Sequence, residues 1–397
     1  MRRVIDCGRQ QLAFEIEKAR VVGRGRDDTP PLEIGPALLA ALEKPHGFPP
    51  LRQALTPGDR VTVVLDEGLP QLSQLLVPLL EYLARAGIEP ADLTLLCPSP
   101  SEQQWLDDLP DELEEARVEV HDARDRKRLS YLATSRDGRR LYLNRSLVDA
   151  DQVVVLSRRW YDPLLGYGGA EGLLYPALCD EETRTALNAR LTLDAPGEAP
   201  WPTRQEAIEA AWLLGLPFFV QVIEGTGEGV AQVLAGAAEA SVAGQHALDR
   251  RWRQALSGAA AVVVAGVGGD PARHTFADLA AAAACAARVV EPEGRIILLS
   301  EAAPDLTAAE ALRNFEEPEH AAATLSEKLS LATVAAWQWA SAAAHAQLYL
   351  LSGLDAERVE ELSATPLLRA SEVQRLLELG GRCLFLDDAH KALAVLE

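Results

Sequence analysis

Arg60-Val-Thr-Val-Val-Leu65, Asp66-Glu-Gly-Leu-Pro70 and the helically spaced apolar residues from Gln71 to Ala86, stopped by Gly87, decide the fold class. The first stretch is a short β-branched run behind the turn signal Thr56-Pro-Gly-Asp59, and it predicts a strand. A strand, a loop and a helix in that order form the repeating unit of a parallel sheet, because neighbouring parallel strands need a crossover connection.

Working outward, the alternation continues. Leu93 to Cys97 reads as a strand, Glu102 to Ala116 as an acidic helix, Val118 to His121 and Gln152 to Ser157 as strands. Gln205 to Leu214 and Val230 to Arg253 read as helices around a strand at Phe218 to Ile223. Upstream, Val4 to Cys7 and Leu12 to Ile16 suggest a hairpin, and the Pro-rich stretch from Pro30 to Pro50 a connecting loop. After Arg253 the cycle restarts: a strand in the AAAVVVAG run, a Gly-rich turn, an Ala-rich helix from Phe276 to Ala287 and a strand from Arg295 to Leu299. Helices at Glu319 to Leu331, Val334 to Gln347 and Ser371 to Leu379, with strands at Leu348 to Ser352 and Arg382 to Leu386, complete it. The expectation is an α/β protein of two α/β lobes with mostly parallel sheets and an interdomain cleft. Residues 1–250 form the N-terminal domain and 251–397 the C-terminal one. Ligands of such sheets bind beyond the carboxyl ends of the strands, which singles out the loops at 66–70, 97–102, 157–172 and 267–275.

A chain of 397 residues exceeds what one core usually supports. Its 48% hydrophobic and 24% charged residues exclude a disordered polymer. A net charge of −21 argues against a nucleic-acid partner, which needs clustered Lys and Arg. No apolar run approaches a membrane span and no apolar segment follows the first basic residues, so neither a membrane partner nor a leader is expected and the cytoplasm is the expected location. Cys7, Cys97, Cys179, Cys285 and Cys383 are far apart and odd in number, which suggests a reducing compartment, and the histidines show no metal-ligand spacing. Alanine-rich helices offer a surface for a homo-oligomer, although high helix propensity is the default explanation for them.

Several strand-end residues carry chemistry. Asp66 suits a ligand hydroxyl or amide, or else caps the following helix. Arg158 and Arg159, with Trp160, Tyr161 and Asp162, could recognise a small anion, the alternative being an Asp–Arg brace within the loop. Adjacent residues on a strand point to opposite faces, so only one arginine is expected to reach a ligand and the other to pair with a neighbouring acid. Tyr167, Gly168 and Gly169 lie in the Gly-rich run from Gly166 to Gly172, whose amides could cradle an anion, although Glu171 has the wrong charge for that. Arg273 and His274 follow Gly268-Gly-Asp-Pro271 at a helix start and place a cation and a titratable group near the cleft. His121 reads as a structural histidine.

Asp66-Glu-Gly-Leu-Pro70, Val120-His-Asp122, the run from Tyr161 to Pro176 and Gly268-Gly-Asp-Pro271 occur in the order and strand context of a known family. Together they resemble the nickel-pincer lactate racemase family. The resemblance implies a nickel-bearing pyridinium nucleotide attached to a Lys, a His ligand to the metal, two acid/base histidines and an Arg for the substrate carboxylate. This chain departs at each point. The attachment position falls on Gly172 or, with a one-residue deletion, on Glu171; Ala189 stands at the nickel ligand; Asp162 and Ser101 stand at the acid/base positions; Leu69 stands at the carboxylate-binding Arg. On the helix opened by Gly268-Gly-Asp-Pro271, Asp278 and Ala281 stand where the family has Gln and Lys. The expectation is therefore a divergent member without the cofactor, unable to racemise through nickel, that binds a small anionic metabolite in the cleft in a binding or regulatory role. The alternative is an isomerase or lyase acting on a small hydroxy acid with a rebuilt site drawn from Asp162, Glu171 and His274, with Asp66, Arg158, Arg159, Tyr167, Gly168, Gly169, Ser101 and Arg273 as binding residues.

Overall fold

A computed structural model describes residues 1–23, 30–99, 103–111 and 115–397. It shows an α/β protein built on two six-stranded sheets. The first runs, edge to edge, Val230–Gly236, Phe218–Glu224, Gln152–Arg158, Val61–Leu65, Leu93–Cys97 and Arg117–Val120, and only its Val230–Gly236 edge is antiparallel. Chain order reverses between Val61–Leu65 and Gln152–Arg158, which is a topological switch point. The strand Val61–Leu65 is buried on both faces, Val63 and Leu65 entering one core and Val64 the other, as a central parallel strand requires.

The second sheet is parallel throughout, in the order Thr365–Leu367, Gln347–Leu351, Val290–Leu299, Ala260–Gly266, Cys383–Leu386 and Val21–Val22. Its switch point lies between Ala260–Gly266 and Cys383–Leu386. A division at residue 250 puts the first 22 residues with the first lobe, but they fold onto the second. Val21 and Val22 pair with Cys383 and Leu384, while Ile5, Cys7, Phe14 and Ile16 cover the face bearing Val262, Val264 and Phe385. Without that hairpin this apolar face would be only partly covered.

Three local expectations are corrected. The Pro-rich stretch contains a helix at Ile34–Glu43, because Ile34, Leu38 and Leu42 recur on one buried face. Val230–Gly236 is a strand rather than the start of a helix. It follows the Gly225–Gly229 turn, buries Val230, Val233 and Ala235 against the first sheet, and ends at Gly236, whose φ of +142° and 2.1 Å approach of any added Cβ to the His46 oxygen exclude a helical side chain there. The helix proper is Ala238–Trp252. The acidic helix expected from Glu102 is a 3-10 turn at Gln104–Asp108, with Glu102 and 112–114 outside the described residues. A hairpin at Leu129–Thr134 and Arg140–Asn144 has no counterpart in the sequence reading.

Among the described residues, no helix is long and apolar enough to cross a membrane. All five cysteines are buried free thiols.

Candidate ligand site between the lobes

The carboxyl ends of both switch points face one crevice of about 820 Å³. Its first wall carries Gly68, Leu69, Trp105, Arg158 and Glu224, and its second carries Arg273, His274, Asp278, His390 and Lys391. Asp66 lies just behind the first wall and Arg158 extends over it. The Arg158 N–H donates to Asp66 Oδ2 at 3.1 Å, its Nε stands 3.4 Å from the same oxygen, and the Gly68 N–H donates to Oδ1 at 3.0 Å. Asp66 thus braces the strand end through Arg158 and Gly68 and does not cap the helix that begins at Leu72. Burial pushes its carboxyl up, against the opposing pull of Arg158 and the two N–H donors. Burial also works against the Arg158 cation, but Asp66, Glu224 and Asp278 outweigh it. The guanidinium lies over the Trp160 ring at 5.2 Å and is about a third exposed to the crevice. A Cβ at position 68 would lie 2.8 Å from Arg158 Nη2, so glycine there leaves the guanidinium its place.

On the opposite wall the rings of His274 and His390 stand edge to face with centroids 5.5 Å apart, and the buried Nδ1 of each has no partner among the described residues. Burial, reinforced by Lys391, pushes the His390 imidazole down to about 3. It is neutral at neutral pH. Asp278 accepts from the N–H of Thr275 at 2.7 Å and its hydroxyl at 2.8 Å. Burial opposes its ionisation, yet His390, Thr275 and Arg158 together take its carboxyl below the usual range. Lys391 donates to the Gly225 and Gly227 oxygens and lies 3.6 Å from Glu224.

The lobes are tied across this crevice by the turn Gly225–Gly229. Asp388 accepts from Gly268 N at 3.1 Å on its own lobe and from Gly227 N at 3.0 Å on the other. Arg273 pairs with Glu228 and donates to the Leu69 oxygen at 2.9 Å. Its guanidinium is a strap between lobes.

The other residues singled out from sequence lie elsewhere. Asp162 accepts from Leu164 N at 2.8 Å, Leu165 N at 2.9 Å and Trp160 Nε1 at 3.2 Å, so it pins its own loop; burial keeps its carboxyl raised despite those donors. Glu171 is buried, accepting from Ser241 Oγ at 2.8 Å with Arg204 Nη2 at 3.9 Å. Arg159 is buried on the sheet face away from Arg158. Tyr167 is buried, and its hydroxyl and that of Tyr161 donate to the two oxygens of Asp249 at 2.8 and 3.0 Å. Burial, then Asp249, pushes the Tyr167 hydroxyl up to about 12. The Gly-rich run turns its amides inward: Gly168 N donates to Trp160 O and Ala170 N to Ser157 Oγ. Gly169 has φ +78° and an added Cβ would lie 2.1 Å from the Arg158 oxygen, so the loop shape demands glycine. Ser101 lies outside the described residues. His121 Nε2 meets the Cys179 oxygen at 2.9 Å in the interior, where burial pulls the imidazole below its usual range. His390, Glu224 and Lys391 carry no local sequence signal.

Among the described residues, no group of three or more His, Cys, Asp and Glu is placed to hold a metal ion. An added Cβ on Gly172 would lie 2.6 Å from Leu165 Cδ1, the end of a flexible side chain, while Glu171 is already engaged.

Two doubly wound α/β lobes with facing switch points define the class of fold. Residues 7–197 match the family described as the lactate racemase N-terminal domain. Over 99% of its length the chain superposes on all of the lactate racemase apoprotein from Thermoanaerobacterium thermosaccharolyticum, with a TM-score of 0.81 at 17% identity. A protein from Thermotoga maritima matches with a TM-score of 0.65 at 12% identity, over 92% of this chain and 98% of that one. No curated protein sequence matches significantly.

Proposed function

We propose that this lactate racemase-like protein binds a small, singly charged carboxylate in the interlobe crevice without a nickel nucleotide, in a binding or regulatory role. The observation that carries the reading is the pairing of one crevice-facing guanidinium, Arg158, with two imidazoles on the opposite wall, His274 and His390. Arg158 supplies the carboxylate contact that the family draws from the position of Leu69. His274 and His390 offer hydrogen bonds to a hydroxyl or carbonyl across the gap. The lining holds five carboxylates, Glu67, Asp108, Glu224, Glu228 and Asp278, against three cations, Arg158, Arg273 and Lys391, which disfavours di- and trianions. Gly172 without a side chain to react, Glu171 bonded internally to Ser241 and Ala189 at the metal-ligand position support the absence of the family cofactor: the residues present do not fit it.

Calorimetry with a panel of hydroxy and keto acids, with and without a chelator, tests the reading. A charge-assisted hydrogen bond contributes about 1.5–3 kcal/mol, so Arg158→Gln should weaken binding by roughly ten- to a hundredfold and the chelator should change nothing. Failure of every acid to bind, or unchanged binding by the variant, would sink it.

The histidine pair also favours a second reading, proton transfer on a hydroxy acid by a rebuilt isomerase or lyase site. A neutral His390 can take a proton from a bound acid, and His274 beside it on the same wall can return one. Solvent deuterium incorporation into a bound hydroxy acid, lost in His390→Asn, separates this from simple binding.

A further inference from the structure

Arg159 is only 1% exposed, and none of its three guanidinium nitrogens has a hydrogen-bond partner among the described residues. Its backbone N–H donates to Val222 at 2.9 Å, which continues the pairing of Ser157 with Gln221. Arg159 therefore shares a sheet face with Ser157 and Gln221. The helix Ala238–Trp252 closes over that face, its Gly244 so near that an added Cβ would lie 2.2 Å from Gln221 Oε1. Gln221 is fully buried, and both its amide atoms also lack protein partners.

The ionic neighbours of Arg159 are Arg204 and Glu171, and Tyr167 is the remaining titratable group acting on it. Arg204 is satisfied: it donates to the Tyr167 oxygen at 2.7 Å and to Ser241 Oγ at 3.3 Å. Glu171 is satisfied by Ser241 and lies 3.9 Å from Arg204. Two guanidiniums face one carboxylate, so the interior holds one positive charge in excess. Burial first, and then Arg204, disfavour the charged form of Arg159, yet an arginine does not give up its proton in a folded protein. A buried charge without a partner is strongly unfavourable.

We propose that Arg159 and the Gln221 amide form an internal site for one small monovalent anion of halide size, beneath the 161–176 loop and separate from the crevice. Such an anion accepts from the idle donors of Arg159 and from the Gln221 NH₂ group, and it brings the charge of the cluster to zero. Bridging water would satisfy the donors and leave the charge. The anion ties the sheet face to the helix Ala238–Trp252, which also carries Asp249, the acceptor for Tyr161 and Tyr167.

Two measurements on the full chain test this. In crystals grown in sodium bromide, an anomalous peak should lie within hydrogen-bonding reach of the Arg159 guanidinium. In solution, the unfolding midpoint should rise saturably, by about 2 °C or more, as bromide or chloride replaces gluconate at constant ionic strength. Arg158→Gln should keep that rise, and Arg159→Leu should lose it. Should Arg159→Leu fail to fold, Gln221→Leu provides the second variant, with a weaker halide dependence expected. Density at Arg159 without bromide signal, a wild-type midpoint indifferent to halide, or a rise that persists in Arg159→Leu would each overturn the site.

Discussion

His274 and His390 meet edge to face across 5.5 Å on the second lobe's wall of the crevice, one delivered by the turn after Ala260–Gly266 and the other by the turn after Cys383–Leu386. Those strands are neighbours in the sheet although far apart in the chain, and they flank its switch point. The pair is therefore a product of strand order. Around His390 stand Asp278, Glu224, Lys391 and His274, and burial dominates over all of them.

That environment fixes a pH response. His390 is pushed down to about 3 in the fold, against an ordinary value of about 6.5 when unfolded. Between those values the unfolded chain binds the extra proton, so stability rises with pH. The contribution is complete above about pH 6.5 and is lost as pH falls from there toward 3. Nuclear magnetic resonance of the ring should show His390 uncharged at pH 5, and His390→Asn should flatten the stability profile between pH 6 and 4. An imidazole titrating near 6.5 would contradict the burial argument.

Coexpression with the enzymes that make the nickel nucleotide should leave the chain at its unmodified mass. Gly172 has no side chain to react and Glu171 is held by Ser241. Intact-mass spectrometry and nickel analysis check this, and a mass excess of nucleotide size with stoichiometric nickel would refute it.

Gly169→Ala should destabilise the first lobe by about 2 kcal/mol or more, because its φ of +78° disfavours a side chain and the new Cβ would meet the Arg158 oxygen. Urea unfolding should show a lower midpoint. A neutral result would mean that the loop re-forms without its close approach to the strand.

Asp388→Ala should remove the acceptor shared by Gly227 and Gly268, leaving N–H groups of both lobes unpaired. Each buried unsatisfied donor costs roughly 1–3 kcal/mol, so a loss of about 2–6 kcal/mol is expected by equilibrium denaturation. Faster hydrogen exchange at both amides would locate the damage at the tie between lobes.

Much of the scaffold is legible in the sequence because strand, turn and helix signals are local. The β-branched run before Asp66, the Gly-rich loop from Gly166 and the restart after Arg253 all point to alternating α/β lobes. Legibility fails where a neighbour overrules local preference. Val230–Gly236 looks helical in its alanine-rich surroundings, yet it pairs with Phe218–Glu224 and fills the first core. The proline-rich stretch looks like a loop, yet Leu38 and Leu42 find a core to enter.

The site divides along the same line. From sequence alone, Asp66, Arg158 and His274 stand at strand ends or turns beyond a sheet, and adjacent Arg158 and Arg159 must point to opposite faces, because side chains alternate along a strand. Which face opens on the crevice and which closes under a helix is settled by packing, when Ala238–Trp252 covers the side of Arg159 and leaves Arg158 beside Trp160. Packing likewise sets His390 beside His274 and turns Asp162 and Glu171 into internal braces. The physical reason is range: strand and turn propensities act over a few residues, whereas a crevice is assembled from strand ends that only the order of the sheets brings together.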